Sequence, residues 1–307
     1  MDVRHLRHFA AVARTLHFGR AAEQLRMTQP PLSQSILALE RELGAALFIR
    51  TKRHVALTAF GKQWLAEIRP LLEGLDALPE KAAQLREGRA GHLVLSFVST
   101  ADYHVLPSLV RQFASRFPDV DLKLREATSD VQIPALMERS AHAGILIRPA
   151  TGFPAELAYH RLIEEPLIVA VPQQWLDGQR LGAAEGCLRP STILELPIIL
   201  FPKDVAPAFH DLVTRYFTVR GGSARIVQEA IQMQTIISLV SAGLGIALVP
   251  ASLRKLAREG VCYVALEDAP TLETGLAWRL DDDTPTLQHL TDLVRGIADR
   301  PLGGPSV

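Results

Sequence analysis

The chain has 307 residues, of which 48% are hydrophobic and 21% charged, so it exceeds one typical domain and can form buried cores. Its longest apolar run, residues 239–251, is too short and too interrupted to span a bilayer. Its two cysteines lie far apart, which excludes a disulfide framework and a CxxC metal site. We expect two or three domains and no membrane association. Because residues 1–9 lack the apolar core of a signal peptide, we also expect a cytoplasmic location.

The charge is unevenly distributed along this chain, although the 33 Lys and Arg equal the 33 Asp and Glu. Residues 1–62 contain ten basic and four acidic residues, so this segment carries a net charge of +6 and the remainder −6. A basic segment joined to an acidic remainder is typical of a domain that binds a polyanion, attached to another that does not.

Three amphipathic helices are predicted within the basic segment. The first is marked by apolar residues between Leu6 and Leu16, and the second carries the small residues Ala21 and Ala22, which permit close helix packing. The third has an apolar face at three- and four-residue spacing, formed by Leu32, Ile36, Leu39 and Leu43. The second and third helices have the spacing of a helix-turn-helix.

The start of the third helix carries the predicted base-reading residues. We expect the Thr28 hydroxyl to cap this helix, with two prolines in the first turn, where no intrahelical N–H is needed. The residues expected to contact DNA are Gln29, Pro30, Pro31, Ser33 and Gln34. Paired amphipathic helices also occur in all-α cores that bind no nucleic acid. The charge of the segment favours DNA binding.

A two-stranded wing and a long helix follow. Residues 46–50 and 55–57 predict strands joined by a basic turn, in which Arg50 and Arg53 reach phosphates. Thr58 caps a helix with apolar residues at three- and four-residue steps to Gly88, a rod of roughly 45 Å at ~1.5 Å per residue. Such a stripe is most simply buried against a second copy. Two prolines in it, Pro70 and Pro79, predict a kink or an early end.

From His92 onward strands and helices alternate, which predicts parallel sheets. Strands are predicted at residues 92–98, 121–127 and 142–148, and a second set at 167–171, 197–201, 224–228 and 245–249. Two α/β subdomains are implied. The strand at 275–280 and a helix at 284–299 are expected to return to the first of them.

Motifs for catalysis are missing from the sequence. Gly243 and Gly245 lack the third glycine of a dinucleotide fingerprint, and no G-x-S-x-G elbow, Walker loop or His/Cys cluster occurs. The pair His5 and His8 has no third ligand nearby, and the acidic run 281–283 is typical of a solvated helix start. We therefore expect no enzyme activity, no metal and no cofactor.

The segment HFGRAAEQLRMTQPPLSQSILALERELGAALFIRTKRHVALTAFGKQWL resembles the DNA-binding segment of LysR-type transcriptional regulators. The matching features are the Ala-Ala pair, the Gln-Pro-Pro-Leu-Ser run, the Leu-Glu-x-x-Leu-Gly ending, the Leu-Phe-x-Arg wing and the Leu-Thr-x-x-Gly start of the long helix. Family members usually have a basic residue after that Ser and Thr or Ser before the alanines, where this chain has Gln34 and Gly19.

The resemblance implies an α/β protein with an N-terminal winged helix-turn-helix (residues 1–58), a dimerising linker helix (59–89) and a periplasmic-binding-protein-like effector domain (90–307). The two subdomains of the latter cover about 90–161 with 268–307, and about 162–267. It also implies a homodimer or homotetramer on a double-stranded DNA operator, working with RNA polymerase. The looser motifs FPDVDLKLREA, LIVAVP and SAGLGIALVPA extend the resemblance over nearly the whole chain.

An effector is predicted to bind between the two subdomains, where strands end and helices begin. The residues expected there are Ser99, Thr100, Thr128, Phe201, Pro202, Lys203 and Arg148. Hydroxyls and free N–H groups at helix starts suit a carboxylate. Threonines at these positions also suit a helix cap without any ligand.

The function that this organisation predicts is that of an effector-responsive regulator, an activator of a catabolic operon and an autorepressor. The Gln-Pro-Pro-Leu-Ser run and FVSTADYHVLPSLV resemble the branch that senses intermediates of aromatic-compound breakdown, so the expected effector is a small organic acid, aromatic or dicarboxylic. A small-molecule-binding or catalytic α/β protein, whose N-terminal helices only mediate oligomerisation, is the competing interpretation.

Overall fold

A computed structural model describes residues 1–51, 54–149, 152–177 and 186–298 of the chain. The described residues form two compact units, one up to Ala83 and one from Gln84 onward. Among these residues no helix is long and apolar enough to cross a membrane. Each unit is described below by itself.

The first unit contains a three-helix core followed by a wing. Its elements are α1 (Val3–Thr15), α2 (Phe18–Gln24), α3 (Gln29–Leu43), β1 (Phe48–Arg50), β2 (Val55–Leu57) and α4 (Ala59–Asp76). Leu32, Ile36 and Leu39 of α3 are fully buried, and Ala21 of α2 packs in the same core. The predicted winged helix-turn-helix is therefore confirmed. The cap of α2 comes from His17, whose Nδ1 accepts the Arg20 N–H at 3.2 Å.

The start of α3 differs from the prediction in one respect. Thr28 has the extended backbone of an N-cap residue, but its side chain makes no capping hydrogen bond. A capping side chain accepts from the N–H of the second or third helical residue, and here those residues are Pro30 and Pro31. The prediction that the Thr28 hydroxyl caps the helix was wrong, because no donor exists for it.

The wing is joined to α3 by a single carboxylate. Strands β1 and β2 pair antiparallel, with Phe48 opposite Leu57. Glu40 of α3 accepts hydrogen bonds from the N–H groups of Leu47 at 2.8 Å and Phe48 at 3.2 Å, and it forms an ion pair with Arg50 at 2.7 Å. The Glu40 carboxylate therefore fixes the position of the wing relative to α3.

The predicted long helix is interrupted beside Pro79. Helix α4 continues through Pro70 and ends at Asp76, and α5 (Leu78–Arg86) begins one residue later with Pro79 in its first turn. A proline in a first turn removes no intrahelical hydrogen bond. The early end that the prolines predicted therefore falls next to Pro79, whereas Pro70 lies within a helix.

The first sheet of the second unit lies between helices on both faces. Its strands are ordered β4 (Asp119–Glu126), β3 (Ala90–Phe97), β5 (Ala143–Ile147), β12 (Thr271–Arg279) and the first part of β6 (Leu157–Pro172). The first three strands are parallel, and β12 is antiparallel to both neighbours. The flanking helices are α6 (Val105–Arg116), α7 (Ser129–Met137) and α12 (Pro285–Ala298). The run from Leu93 to Phe97 is buried throughout, as expected of a strand covered on both faces.

The second sheet uses the other end of β6. Beyond Pro166 this strand pairs with β10 (Ala247–Pro250) and β11 (Val261–Leu266). Strand β7 (Cys187–Leu188) pairs in parallel with β11. An isolated bridge between Ile198 and Ile246 joins the parallel pair β8 (Pro197–Leu200) and β9 (Arg225–Glu229) to this sheet. The remaining helices are α8 (Gln173–Asp177), α9 (Pro190–Ile193), α10 (Pro207–Val219) and α11 (Met233–Ser241). The prediction of two α/β subdomains is thus confirmed.

Besides the two-residue strand β7, two longer stretches of strand were not predicted by the sequence pattern. The first ten residues of β6 mix polar and half-buried positions, and β11 alternates buried with half-buried residues. The first part of β6 pairs with β12, and polar side chains on it, such as those of Arg161 and Glu164, are exposed to solvent. A search for buried apolar runs therefore misses both strands.

We expect Thr58→Ala to destabilise the start of α4 by about 1–2 kcal/mol. The Thr58 hydroxyl accepts the Gly61 N–H at 2.8 Å and donates to the Ala46 carbonyl oxygen at 2.7 Å. Hydrogen exchange of peptides covering α4 in the full chain measures the effect. Thr28→Ala is the matched control, because that side chain makes no capping bond; equal exchange in both variants would contradict the assignment.

Candidate functional site

The exposed end of α3 forms the first candidate surface. Gln29, Pro30, Pro31 and Gln34 are exposed, whereas Ser33 is half-buried. These side chains lie on the side of α3 away from its buried apolar face. A helix with a polar, exposed N-terminal turn has the form that enters a major groove. The predicted base-reading residues therefore share one accessible surface.

The two wing arginines differ in what the structure shows of them. The side chain of Arg50 is 29% exposed, because its guanidinium pairs with Glu40 and lies 4.9 Å from the centre of the Phe18 ring. Part of its charge is thus balanced within the unit. Arg53 and its neighbour Lys52 lie outside the described residues.

His8 of α1 makes a polar contact with α3. His8 Nδ1 lies 2.7 Å from the Ser35 hydroxyl, so it contributes a contact between α1 and α3. No group of three or more His, Cys, Asp or Glu suited to a metal ion occurs in the described part of the chain.

A cavity of about 280 Å³ in the second unit forms the other candidate site. It lies where strands of both sheets end: β3 continues into Ser99 and Thr100, β4 into Thr128, and β8 into Phe201. These four residues were predicted to bind an effector, and all of them line this cavity. The arrangement is that of a ligand cleft at the carboxyl ends of strands.

Two hydroxyls in this cavity are not used by the fold. Thr100 is 6% exposed, and its Oγ1 is buried without a hydrogen-bond partner. Thr128 precedes α7, but its side chain makes no capping bond, so the first N–H groups of α7 have no side-chain acceptor from it. A buried hydroxyl without a partner is costly unless a ligand or water satisfies it.

Two polar residues outside the predicted set of effector contacts hold the cavity wall in shape. Ser129 Oγ accepts the Ile147 N–H at 3.1 Å, and the buried amide of Gln132 donates to the carbonyl oxygens of Ala127 at 2.8 Å and Ile145 at 3.1 Å. They join the start of α7 to the ends of β4 and β5. The sequence signal for this role was their spacing of three residues at a helix start, which places both side chains on one side of the helix.

The remaining predicted residues point elsewhere. Pro202 and Lys203 follow Phe201 but do not line the cavity, and the Lys203 ammonium lies 3.5 Å from a carboxylate oxygen of Asp211. The Arg148 guanidinium lies over the rings of Tyr159 and Phe153, 5.1 and 5.8 Å from their centres. The neighbouring carboxylate and aromatic rings attract these cations, so neither lies in the cavity wall.

The second subdomain contributes a wall that the sequence did not predict. It consists of the starts of α10 and α11, and its members are Val205, Ala206, Pro207, Ala208, Phe209, Ile231 and Gln232. These residues are apolar except for Gln232 and belong to helices whose N-caps make no side-chain bond. Their place in the cavity wall depends on which loops the two sheets bring together, and this cannot be derived from the order of the elements along the chain.

A larger cavity of about 660 Å³ is lined by Tyr103, Ile237, Leu253, Arg258 and Tyr263, among others. It contains none of the predicted effector residues and none of the strand ends described above. Burial, followed by the nearby carboxylates of Asp102 and Glu126, raises the pKa of Tyr103 to about 12. Size favours this cavity, but the unsatisfied Thr100 hydroxyl and the converging strand ends favour the smaller one as the effector site.

Comparisons with protein families agree with both candidate surfaces. Residues 3–62 match the bacterial regulatory helix-turn-helix protein, lysR family, and residues 86–298 match the LysR substrate binding domain. The first range contains the exposed start of α3, and the second contains the whole cavity.

Individual relatives cover almost the full chain. The HTH-type transcriptional regulator IlvR of Caulobacter vibrioides is 62% identical over 96% of this chain and 97% of its own. The crystal structure of full-length CbnR with its target DNA is similar at 25% identity, with a TM-score of 0.75 over 97% of this chain and all of that one. Full-length BenM is similar at 26% identity, with a TM-score of 0.59 over the whole of both chains.

IlvR is named as a transcriptional regulator, and the CbnR structure holds the full-length protein in complex with its target DNA. The family that the sequence motifs resembled is thereby confirmed. Together with the two domain matches, this shows that the chain belongs to the LysR family of DNA-binding transcriptional regulators, non-enzymatic proteins with an effector-binding domain.

Proposed function

We propose that this regulator senses a small organic acid in the 280 Å³ cavity, activates a catabolic operon in response and represses its own gene. The observation that carries the proposal is the buried, unpartnered Thr100 hydroxyl among converging strand ends. The similarity to CbnR and BenM supports the branch of the family that the motifs resemble. In this proposal the protein acts in the cytoplasm, on operator DNA, together with RNA polymerase.

DNA sequence is read, in this proposal, by the first turns of α3. Gln29 is exposed at the first position of the helix, and a glutamine amide pairs with the edge of adenine through two hydrogen bonds. Pro30 and Pro31 offer apolar contact to a thymine methyl, while Ser33 and Gln34 add adaptable hydrogen bonds. Arg50 and Arg53 bind phosphates and contribute affinity that depends on salt.

We expect Gln29→Ala to lower discrimination between the operator and its single-base variants by about 1–3 kcal/mol, because two base-specific hydrogen bonds are lost. Fluorescence anisotropy with operator variants at fixed salt measures this. Gln63→Ala is a matched control, since Gln63 is an exposed glutamine on α4 and lies outside this turn. The same specificity in Gln29→Ala and wild type would refute the base-reading role.

Assembly is proposed to use the exposed leucines of α4 and α5. Leu71 is 62% and Leu78 53% exposed, seven residues apart, while Leu72 of the same helix is buried. A seven-residue repeat of apolar positions is typical of helices that pair along a seam. We propose a dimer formed through these helices and a tetramer formed by further contacts of the effector domains.

Leu71→Glu is expected to shift the full chain from dimer or tetramer toward monomer at micromolar concentration, because a buried unpaired charge is costly at a helix seam. Sedimentation velocity reports the change, and circular dichroism checks that the helices remain. Glu73→Gln, at an exposed polar position nearby, should leave assembly unchanged. A Leu71→Glu protein with the wild-type sedimentation coefficient would count against the seam.

The double variant Thr100→Val, Thr128→Val should remove the effector response and leave basal operator binding intact. Both substitutions replace a hydroxyl in the cavity by a methyl group of similar size, far in sequence from the DNA-binding residues. Operator affinity with and without the inducing acid gives the response. The double variant Thr214→Val, Thr218→Val on α10 controls for loss of hydroxyls elsewhere, since those residues bond only to carbonyls of their own helix. A double variant at the cavity that still responds at the wild-type effector concentration would place the site elsewhere.

A further inference from the structure

Among the residues that the structure describes, the wall of the proposed effector cavity contains a single ionisable side chain. Of the sixteen residues that line it, only Glu126 carries a charge, and none is Lys, Arg or His. The cations predicted from the sequence are held by other groups, Lys203 by Asp211 and Arg148 by two aromatic rings. An effector whose one charged group is a carboxylate would therefore face the carboxylate of Glu126, and no described cation of the wall would balance the two negative charges.

The direction of the Glu126 side chain follows from its position in β4. In β4 it lies an even number of residues from Val120 and Leu122, which pack into the core beside α6, so its side chain stands on that same face. Its carboxylate is close enough to the Tyr103 phenol to contribute to that group's raised pKa. No described residue forms an ion pair or a side-chain hydrogen bond with it.

We propose that the effector carries an ammonium group next to its carboxylate, and that Glu126 binds this ammonium. The proposal rests on the proposed function of the cavity and narrows its ligand to an amino acid or a closely similar zwitterion. The ligand carboxylate then takes the Thr100 hydroxyl and the free N–H groups at the start of α7. This arrangement uses the unpartnered Thr100 hydroxyl and the free N–H groups of α7, and it balances the charge of Glu126.

The rest of the wall restricts the side chain of such an amino acid. Ile147, Phe201 and Phe209 are buried and apolar, and Val205 and Ala206 are half-buried beside them. A cavity of about 280 Å³ lies at the small end of ligand sites. We therefore expect a small or medium apolar side chain; a second carboxylate would be repelled.

The experiment compares matched ligands that differ only in the ammonium group. Titration calorimetry with the full-length protein uses alanine against propanoate, valine against isovalerate, and phenylalanine against hydrocinnamate. At least one amino acid should bind about tenfold or more tightly than its partner acid, because a charge-assisted contact is gained. Glu126→Gln should remove this preference, and Glu138→Gln, an exposed glutamate outside the cavity, should keep it.

Two results would overturn the inference. One is that each acid without the ammonium binds as tightly as its amino acid, or that Glu126→Gln keeps the preference for the amino acid. The proposed function survives this result, since the cavity still binds an acid. The other is that neither series binds. Binding of either series that persists undiminished in Thr100→Val, Thr128→Val would instead count against the proposed cavity itself.

Discussion

The position of the effector cavity depends on the continuous strand β6, which belongs to both sheets of the second unit. It pairs with β12 as far as Pro166 and with β10 and β11 from Leu167 onward. Because this one strand pairs in both sheets, the two sheets are held with their strand ends near each other. The loops after β3, β4 and β8 therefore meet in one cavity. A ligand that contacts loops of both subdomains can change their equilibrium only by its different affinity for the two arrangements.

The chemistry of this cavity follows from backbone groups and from how few side chains carry charge. A helix start supplies N–H donors without a buried cation, so an acid can bind without desolvating a lysine or arginine. The Ser129 and Gln132 bonds to the strand ends hold those donors in place. Since Glu126 is the one charged group among the described residues of the wall, the balance of charge depends on the ligand. The same geometry would bind a simple acid if this residue were neutral.

The first unit shows how one carboxylate can order a DNA-binding surface. Glu40 accepts two backbone N–H groups of the wing and pairs with Arg50, so α3 and the wing share one fixed geometry. The interaction reduces the charge that Arg50 presents to solvent. The uneven distribution of charge along the chain is thus a property of the whole unit, and it does not predict how much charge a single arginine presents to solvent.

The sequence by itself determined the helices of the first unit, most strands of the second unit and the family. Apolar spacing was enough for α3, because burial on one side repeats every three or four residues, and motif residues such as the Gln-Pro-Pro-Leu-Ser run identified the DNA-binding unit. The loops at Thr100, Thr128 and Phe201, which line one cavity, could be predicted because strand ends followed by helix starts are local features. Tertiary structure alone decided which groups pair: it placed Arg148 over Tyr159, Lys203 beside Asp211 and the starts of α10 and α11 in the cavity wall. It also left the Thr28 hydroxyl without a role, a consequence of two prolines that a search for capping residues overlooks. Charges attract over several ångströms in any direction, so their partners depend on the folded arrangement and not on spacing along the chain.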